Sequence, residues 1–144
     1  MRPLLALIAL AIPTLAPAAS IRDCDSYEAN ARNIVLPPSA GIATYANGAV
    51  TIIGLDTGGE PACCSSHLMV LYPEPGEPFH ACALISREGT SGWSGIDVGR
   101  AVSAYDPATG LRVSVPVGIY DGTDSQPGTL SVTVNQATGQ VTAE

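Results

Sequence analysis

Residues 111–120 read LRVSVPVGIY, and this stretch decides the fold class. Apolar side chains occupy the odd positions from Leu111 to Ile119, and residues of other kinds occupy the even positions. Because successive side chains of a β-strand point to opposite faces, this alternation predicts a strand that buries one face. Pro116 has no amide hydrogen to donate to a neighbour, so we expect the strand to lie at a sheet edge or to carry a bulge there.

Two segments with the same turn-forming sequence pattern lie near this strand. DPATG over residues 106–110 and NQATG over residues 135–139 each begin with an Asp or Asn residue and end with glycine. Asp or Asn favours the first position of a type I turn, and glycine readily adopts the left-handed backbone that comes after it in a hairpin. The sequence therefore predicts two successive hairpins of a meander between residues 100 and 143.

The region upstream carries further β signals. ATYANGAVTII over residues 43–53 predicts a hairpin centred on Asn47-Gly48, since this dipeptide readily takes the positive φ angles of a type I′ turn. Two apolar runs, 68–71 and 79–85, flank a proline-rich connection. Together these segments give about eight short strands, which predicts an all-β fold, either an antiparallel β-sandwich or a small barrel.

The N-terminus predicts export. A positive charge is followed by a short apolar run and by alanines at positions 16 and 18, which is typical of a secretory signal peptide. A membrane-spanning helix would need about 20 apolar residues without the prolines that this run contains. We therefore predict a signal peptide over residues 1–19 and a single β domain over residues 20–144, periplasmic or secreted. Within that domain, residues 23–33 predict one short N-terminal helix.

The charge of the chain limits its partners. The six basic residues are all arginine, and removal of the leader leaves five of them against 13 acidic residues, a formal charge of −8. Nucleic acids and anionic membranes require a basic patch, so we expect neither as a partner. A cationic secreted protein would be attracted instead. The sequence has no cofactor motif, and we expect a monomer without a cofactor.

Four cysteines predict two disulfide bonds, because an exported protein folds in an oxidising environment. Cys63 and Cys64 are adjacent, and adjacent cysteines can bridge only through a strained small ring. We therefore expect them to take different partners, one bonding Cys24 and the other Cys82. A simple hairpin would place Cys82 opposite Met69, too far along the strand for a bridge whose Cα atoms must lie within about 7 Å. We therefore expect the CCSS segment to double back as a loop.

A metal site is the alternative for the same residues. Both histidines lie beside cysteines, as Cys64-x-x-His67 and His80-x-Cys82, and imidazole with thiolate suits copper or zinc. The spacing matches no closed zinc site, and an oxidising compartment favours disulfides. We therefore expect disulfides and no bound metal.

Asp56-Thr57-Gly58 comes after an apolar stretch and resembles the active-site turn of aspartic proteases. In that family, two aspartates share a proton and activate a water molecule. With one such motif, the resemblance implies a dimer with two Asp56 side chains face to face. The chain departs from the family at Gly59, where Ser or Ala is usual, and the glycine after Val117 has no convincing helix behind it.

Residues 86–99 form a long connection for a compact β domain, and long connections often carry function. Within it, Ser91-Gly92-Trp93-Ser94 resembles the serine-glycine-aromatic loop of bacterial periplasmic lysozyme inhibitors. In those families the serine hydroxyl reaches the catalytic acid of the enzyme and the aromatic ring packs beside it. The resemblance implies these roles for Ser91 and Trp93, with Gly92 and Ser94 in the same contact surface.

The sequence supports three functional hypotheses. The first is a non-enzymatic exported binding module, an inhibitor of a lysozyme-type hydrolase that acts through residues 86–99. The second is a dimeric aspartic-type protease centred on Asp56. The third is a structural, envelope-associated domain with no dedicated site. We favour the first. The inhibitor hypothesis loses its main support if Trp93 is buried in the core and residues 86–99 are packed flat.

Overall fold

The computed structural model describes residues 19–59 and 63–144. They form two five-stranded antiparallel sheets that pack face to face, so the fold is all-β and sandwich-like, with no closed barrel. The strands are β1 (Ser20–Arg22), β2 (Ile42–Tyr45), β3 (Val50–Asp56), β4 (Ser66–Pro73), β5 (His80–Ser86), β6 (Gly95–Ile96), β7 (Val102–Asp106), β8 (Gly110–Tyr120), β9 (Ser125–Asn135) and β10 (Gln140–Ala143).

Most paired strands are consecutive in sequence, and the exceptions are the pairs β1–β5 and β6–β8. The first sheet has the order β1-β5-β4-β3-β2, and the second has β10-β9-β8, with β6 and β7 both paired to the other side of β8. The described helical segments are α1 (Pro38–Gly41) and 3-10 turns at Ala31–Asn33 and Val98–Arg100. None of the helices in the described part of the chain has the length and apolar character needed to cross a membrane.

The expected helix over residues 23–33 is wrong, since only its last three residues form a 3-10 turn. The Asn33 side chain donates hydrogen bonds to the carbonyl oxygens of Tyr27 at 2.8 Å and Glu28 at 3.1 Å. Side-chain bonds of this kind compete with the backbone bonds of a helix. Residues 23–41 instead run mostly irregularly across the outer face of the first sheet, and we call them the N-terminal cover.

Two hydrophobic cores lie on the two faces of the first sheet. The inter-sheet core contains buried side chains from both sheets, among them Leu68, Ile85, Val113 and Val132. The smaller outer core lies between the first sheet and the N-terminal cover. Its buried members are Ile53, Leu55, Met69 and Leu84, and the cover packs Cys24, Ala29 and Ile34 against them.

The alternation of β8 is confirmed, because its odd positions from 111 to 117 are buried in the inter-sheet core. The expected sheet edge is wrong, because β8 lies between β9 on one side and β6 and β7 on the other, and the unbroken β8–β9 register shows no bulge at Pro116. Pairing with β7 ends at Ser114, and pairing with β6 begins again at Val117. The Pro116 carbonyl accepts a bond from the Asp97 amide at 2.9 Å, and its nitrogen faces the same side. The proline therefore lies where the ladder is already interrupted.

The two C-terminal turns are confirmed. Gly110 has a φ of 104° and Gly139 a φ of 71°, as the left-handed positions require. Asp106 and Asn135 each accept two backbone amide bonds through the side chain. Local sequence therefore determines these hairpins, as predicted.

The first hairpin is also present, with its turn shifted by one residue. The Gly48 amide bonds the Tyr45 carbonyl at 3.1 Å, so Ala46 and Asn47 occupy the two central positions. Their φ angles are 53° and 56°, those of a type I′ turn. Asn47 is therefore the second central residue, and Gly48 comes directly after it.

The expected disulfide pairing is wrong. The bonds join Cys24 to Cys82 and Cys63 to Cys64. In the β4–β5 hairpin, Cys82 lies opposite Leu71, two residues farther from Cys64 than expected. Cys82 faces the outer core, where the N-terminal cover brings Cys24 to a Cα distance of 5.8 Å, so the adjacent cysteines are left to pair with each other. The CCSS segment leads into β4 and does not double back. Both bonds indicate an oxidising, extracytoplasmic environment.

Candidate functional site

Residues 86–99 do not form a long free loop. A tight turn over Glu88–Ser91 is closed by paired backbone hydrogen bonds. Trp93 then forms a β-bridge with Ser66 at the start of β4, and Ser94 donates its amide to β8 at 3.0 Å. The segment therefore crosses from the first sheet to the second and closes one end of the sandwich.

Trp93 is buried, with 4% of its surface exposed, and it belongs to the inter-sheet core. Gly92 explains how the ring enters, because a Cβ at this position would lie 2.1 Å from the Ser66 carbonyl oxygen. The Gly92 amide also donates to the Cys64 carbonyl at 2.8 Å. Only glycine permits so close an approach, and the approach directs the indole between the sheets. Trp93 therefore does not project from the surface towards a partner, as the resemblance implies that it would.

The other predicted contact residues are divided between surface and interior. Ser91 is exposed on the tight turn, and Ser94 is half-buried with its hydroxyl 2.6 Å from the hydroxyl of Ser125. Gly92 is buried. Apart from Gly99, the exposed part of the segment is therefore the turn at residues 87–91, which we call the rim turn.

A pocket of about 180 Å³ opens beside the rim turn, at the side of the sandwich where β1 and the end of β10 lie. We call it the end pocket. Its wall is mainly apolar, with the indole of Trp93 as part of the lining and one charged residue of each sign. The lining residues are Ala19, Arg87, Trp93, Val117, Ile119, Thr129, Leu130 and Glu144.

The rim of the end pocket is fixed by hydrogen bonds to neighbouring strands. The Gly89 amide donates to the Ser20 hydroxyl at 2.7 Å, and the Arg87 guanidinium donates to the Tyr120 carbonyl at 3.4 Å. Glu144 pairs with the Arg112 guanidinium. The site therefore has a formed apolar pocket, a fixed polar turn beside it and charges at its edge, which is the usual composition of a binding site.

The chain matches no protein-family model, no curated protein and no solved structure. The end pocket and the rim turn present apolar surface, the hydroxyls of two threonines and one serine, and three charged side chains. Among these described residues, no hydroxyl is hydrogen-bonded to a side-chain base.

Asp56 lies apart from this site. It is exposed at the end of β3, and its Oδ1 accepts hydrogen bonds from the Gly58 amide at 2.9 Å and from the Ser65 hydroxyl at 2.7 Å. That geometry is an Asx turn, in which the carboxylate serves its own backbone. Gly118 lies within β8 of the opposite sheet and is not followed by a helix. The structure thus gives Asp56 a turn role.

The cysteine and histidine residues do not form a metal centre. All four cysteines are in disulfides and offer no thiolate. His80 is exposed at the start of β5, opposite Pro73, whereas His67 is 2% exposed and lies in β4. Among the described residues, no three side chains of the metal-binding kinds converge.

His67 instead belongs to a buried polar chain that the sequence did not reveal. Its Nδ1 lies 2.9 Å from the Ser86 hydroxyl, which accepts a bond from the Arg22 guanidinium at 3.2 Å. Arg22 also pairs with Glu28 of the N-terminal cover at 3.0 Å. The β4–β5 register brings His67 and Ser86 together from 19 residues apart, and the pattern of either strand alone gives no sign of it.

The buried polar chain stabilises the fold and is shielded from substrates. Ser86 is fully buried, and a Ser–His pair can act as a nucleophile only where a substrate reaches the hydroxyl. Burial lowers the pKa of His67, so the ring is neutral at pH 7. The Ser26 hydroxyl, the residue's own backbone amide and the Arg22 guanidinium lower the pKa of Glu28 to about 2. The buried polar chain therefore joins the N-terminal cover to the first sheet through one ionised pair and one neutral histidine.

Proposed function

We propose that the protein is an exported, non-enzymatic binding module, and that its end pocket takes an apolar side chain of a cationic secreted protein. The observation that carries the proposal is the pocket itself, which has walls of Val117, Ile119 and Leu130 and opens beside the exposed rim turn. Burying one large apolar side chain of a partner would contribute about 1.5–3 kcal/mol. The rim turn would supply polar contacts around it.

Electrostatics would favour the same class of partner. The predicted exported form carries a formal charge of −8, which attracts a cationic protein and speeds its encounter with the surface. Net charge alone does not determine how the partner is oriented on the surface, whereas an apolar pocket next to a fixed turn does. The acidic surface would therefore attract the cationic partner, and the end pocket and rim turn would determine which partner binds.

A lysozyme is the concrete candidate for the partner. The resemblance to lysozyme inhibitors suggests that Ser91 reaches the catalytic acid of such an enzyme, and Ser91 is exposed on the rim turn. The role of Trp93 changes in this proposal, since the indole lines the pocket from inside. The partner would insert an apolar side chain against the indole.

The single tryptophan provides the test. Titration of protein that carries 5-hydroxytryptophan at position 93, excited at a wavelength that the ordinary tryptophans of the lysozyme do not absorb, with a cationic lysozyme should shift or quench the fluorescence of this residue. The unlabelled protein should slow the hydrolysis of bacterial cell walls by the lysozyme. Ile119→Arg should abolish both effects, because it replaces an apolar wall of the pocket with a charge that repels the partner. Ser91→Ala should weaken inhibition while leaving the fluorescence change largely in place.

Val102→Arg is the matched control, because it makes the same change in net charge at an exposed residue of β7, outside the pocket. It should retain most of the binding. Equal loss in the two arginine variants would mean that charge alone drives association and would refute the pocket. Absence of any fluorescence change or inhibition with lysozymes of every type would refute the lysozyme assignment.

A further inference from the structure

The Cys63–Cys64 disulfide lies directly against the backbone that carries Trp93. The Cys64 carbonyl accepts the amide hydrogen of Gly92 at 2.8 Å, and Gly92 is the residue before the tryptophan. Two residues after Cys64, Ser66 exchanges both of its backbone hydrogen bonds with Trp93, at 2.8 and 3.0 Å. The adjacent cysteines and the indole are therefore parts of one hydrogen-bonded contact.

Cys64 is held in an unusual backbone conformation. Its φ is +72°, in the left-handed region that residues with a side chain rarely adopt. The bond to the adjacent Cys63 restricts the backbone between them, and release of that bond would let Cys64 return to an ordinary conformation. Such a return would carry its carbonyl oxygen away from Gly92.

The two disulfides differ in how readily they close again after reduction. Cys24 and Cys82 are held together by the packing of the N-terminal cover on the outer core, so the folded chain favours closing that bond again. All four cysteines are half-buried, but relaxation of the Cys64 backbone would oppose closing the Cys63–Cys64 bond again. A reductant in solution should therefore act on the adjacent pair first.

We propose that the Cys63–Cys64 disulfide is a thiol–disulfide exchange site for an extracytoplasmic protein dithiol, and that its redox state sets the position of Trp93. One thiolate of the dithiol attacks a cysteine sulfur, the bond between the cysteines breaks, and a mixed disulfide forms. The second thiol of the reductant then displaces the cysteine. Two cysteine thiols and one oxidised dithiol result, with two electrons transferred and the protons taken up by the released thiolates.

The effect on binding rests on the proposed function, whereas the exchange reaction does not. Trp93 lines the end pocket, so loss of the Gly92 contact would alter the pocket wall. The oxidised protein is then the form that binds, and the reduced form binds more weakly. Loss of one hydrogen bond of ordinary strength corresponds to about a tenfold change in an equilibrium constant.

Graded reduction of the whole protein with dithiothreitol, with subsequent alkylation and peptide mass spectrometry, tests the exchange site. Cys63 and Cys64 should be alkylated at reductant concentrations that leave the Cys24–Cys82 bond intact. Over the same range, the emission of Trp93 should shift, and the Gly92 amide should exchange with solvent about tenfold faster. Reduction of Cys24–Cys82 first, or reduction of both bonds together, would overturn the proposal. Unchanged Trp93 emission and Gly92 exchange after selective reduction would overturn it as well.

Two double variants separate the covalent bond from the backbone conformation. Cys63→Ser with Cys64→Ser mimics the reduced form and should reproduce its emission and its Gly92 exchange. Cys63→Ala with Cys64→Gly also lacks the bond, but glycine adopts positive φ without strain and should keep the wild-type properties more closely. Wild-type behaviour in the double-serine variant would contradict the proposed coupling. Failure of lysozyme to bind either redox form would count against the proposed function and leave the exchange site standing.

Discussion

The first sheet has a hydrophobic core on each face, and the two cores are closed by different means. The inter-sheet core is formed by strands of both sheets, and its buried members are almost all aliphatic, with Trp93 at one end. The outer core is closed by the N-terminal cover, whose only regular structure is one 3-10 turn and one helical turn. A disulfide and an ion pair, Cys24–Cys82 and Arg22–Glu28, attach the cover to the sheet.

The difference shows how an irregular segment can close a core. Ordering each residue of the cover costs conformational entropy, and the cover recovers little through backbone hydrogen bonds of its own. The disulfide, the ion pair and the side-chain hydrogen bonds of the cover offset part of this entropy cost. The inter-sheet core should therefore respond mainly to lost volume, whereas the outer core should respond to loss of the disulfide and to acid.

The largest effect is expected from removing the disulfide of the cover. The Cys24–Cys82 bond joins residues 58 apart in sequence, and closing such a loop in the unfolded chain corresponds to about 4 kcal/mol. Cys24→Ala with Cys82→Ala should lower the free energy of unfolding by that order in urea denaturation. The control is Cys63→Ala with Cys64→Gly, which opens no loop and should cost less than about 1 kcal/mol. Equal losses of stability in the two variants would contradict the expectation that the Cys24–Cys82 bond stabilises the fold more than the Cys63–Cys64 bond.

A neighbouring pair of core residues compares the two faces directly. Leu68 is fully buried in the inter-sheet core, and Met69, the next residue of β4, is 9% exposed in the outer core. Leu68→Ala should cost about 3–4 kcal/mol, because the two sheets cannot collapse into the cavity. Met69→Ala should cost about 2 kcal/mol, since the irregular cover can settle into the space. A larger loss at Met69, measured by denaturation, would mean that the cover is as rigid as a sheet.

The two regions also differ in how far the sequence predicts them. The C-terminal meander depends on local signals, such as the turn residues Asp106 and Gly110 and the alternation of β8, and it is confirmed. The cysteine pairing depends on the irregular cover, which brings Cys24 to Cys82 on the outer face of the sheet. Neither the path of the cover nor the two-residue shift of the hairpin register is visible in sequence. The place of Trp93 likewise depends on a close approach at Gly92, so the sequence identified the segment and not the buried position of its ring.

Acid should weaken the outer core selectively. Glu28 has a pKa lowered from 4.5 to about 2, so its ionised form stabilises the fold above pH 4.5, and this contribution is lost as the pH falls towards 2. Burial lowers the pKa of His67 from 6.5, so below that pH the unfolded chain takes up a proton that the folded protein resists. Both groups therefore make the folded protein less stable as the pH falls. Stability should decline below about pH 6.5, with a further loss below 4.5 on the order of 2 kcal/mol.

Glu28→Gln separates the two contributions to acid sensitivity. It should reduce the loss below pH 4.5 and leave the loss that begins near pH 6.5, because His67 is still buried. The pKa values of Asp97, Asp106 and Asp121 are also lowered, so their share of the acid loss should remain. Denaturation curves recorded from pH 7 to pH 3 measure both losses of stability. A wild-type stability that does not change across this range would show that neither group is linked to folding.

The smallest effect is expected at an ion pair outside both cores. Arg112 pairs with Glu144 where both side chains are more than half exposed, and such pairs contribute between zero and about 1 kcal/mol. Arg112→Ala should change the free energy of unfolding by less than about 0.5 kcal/mol. The same change at Arg22 should cost about 1–3 kcal/mol, because it removes the ion pair of Glu28 and the guanidinium donor to the Ser86 hydroxyl under the cover. Similar values for the two variants would mean that the cover is fastened by its disulfide and its apolar contacts alone.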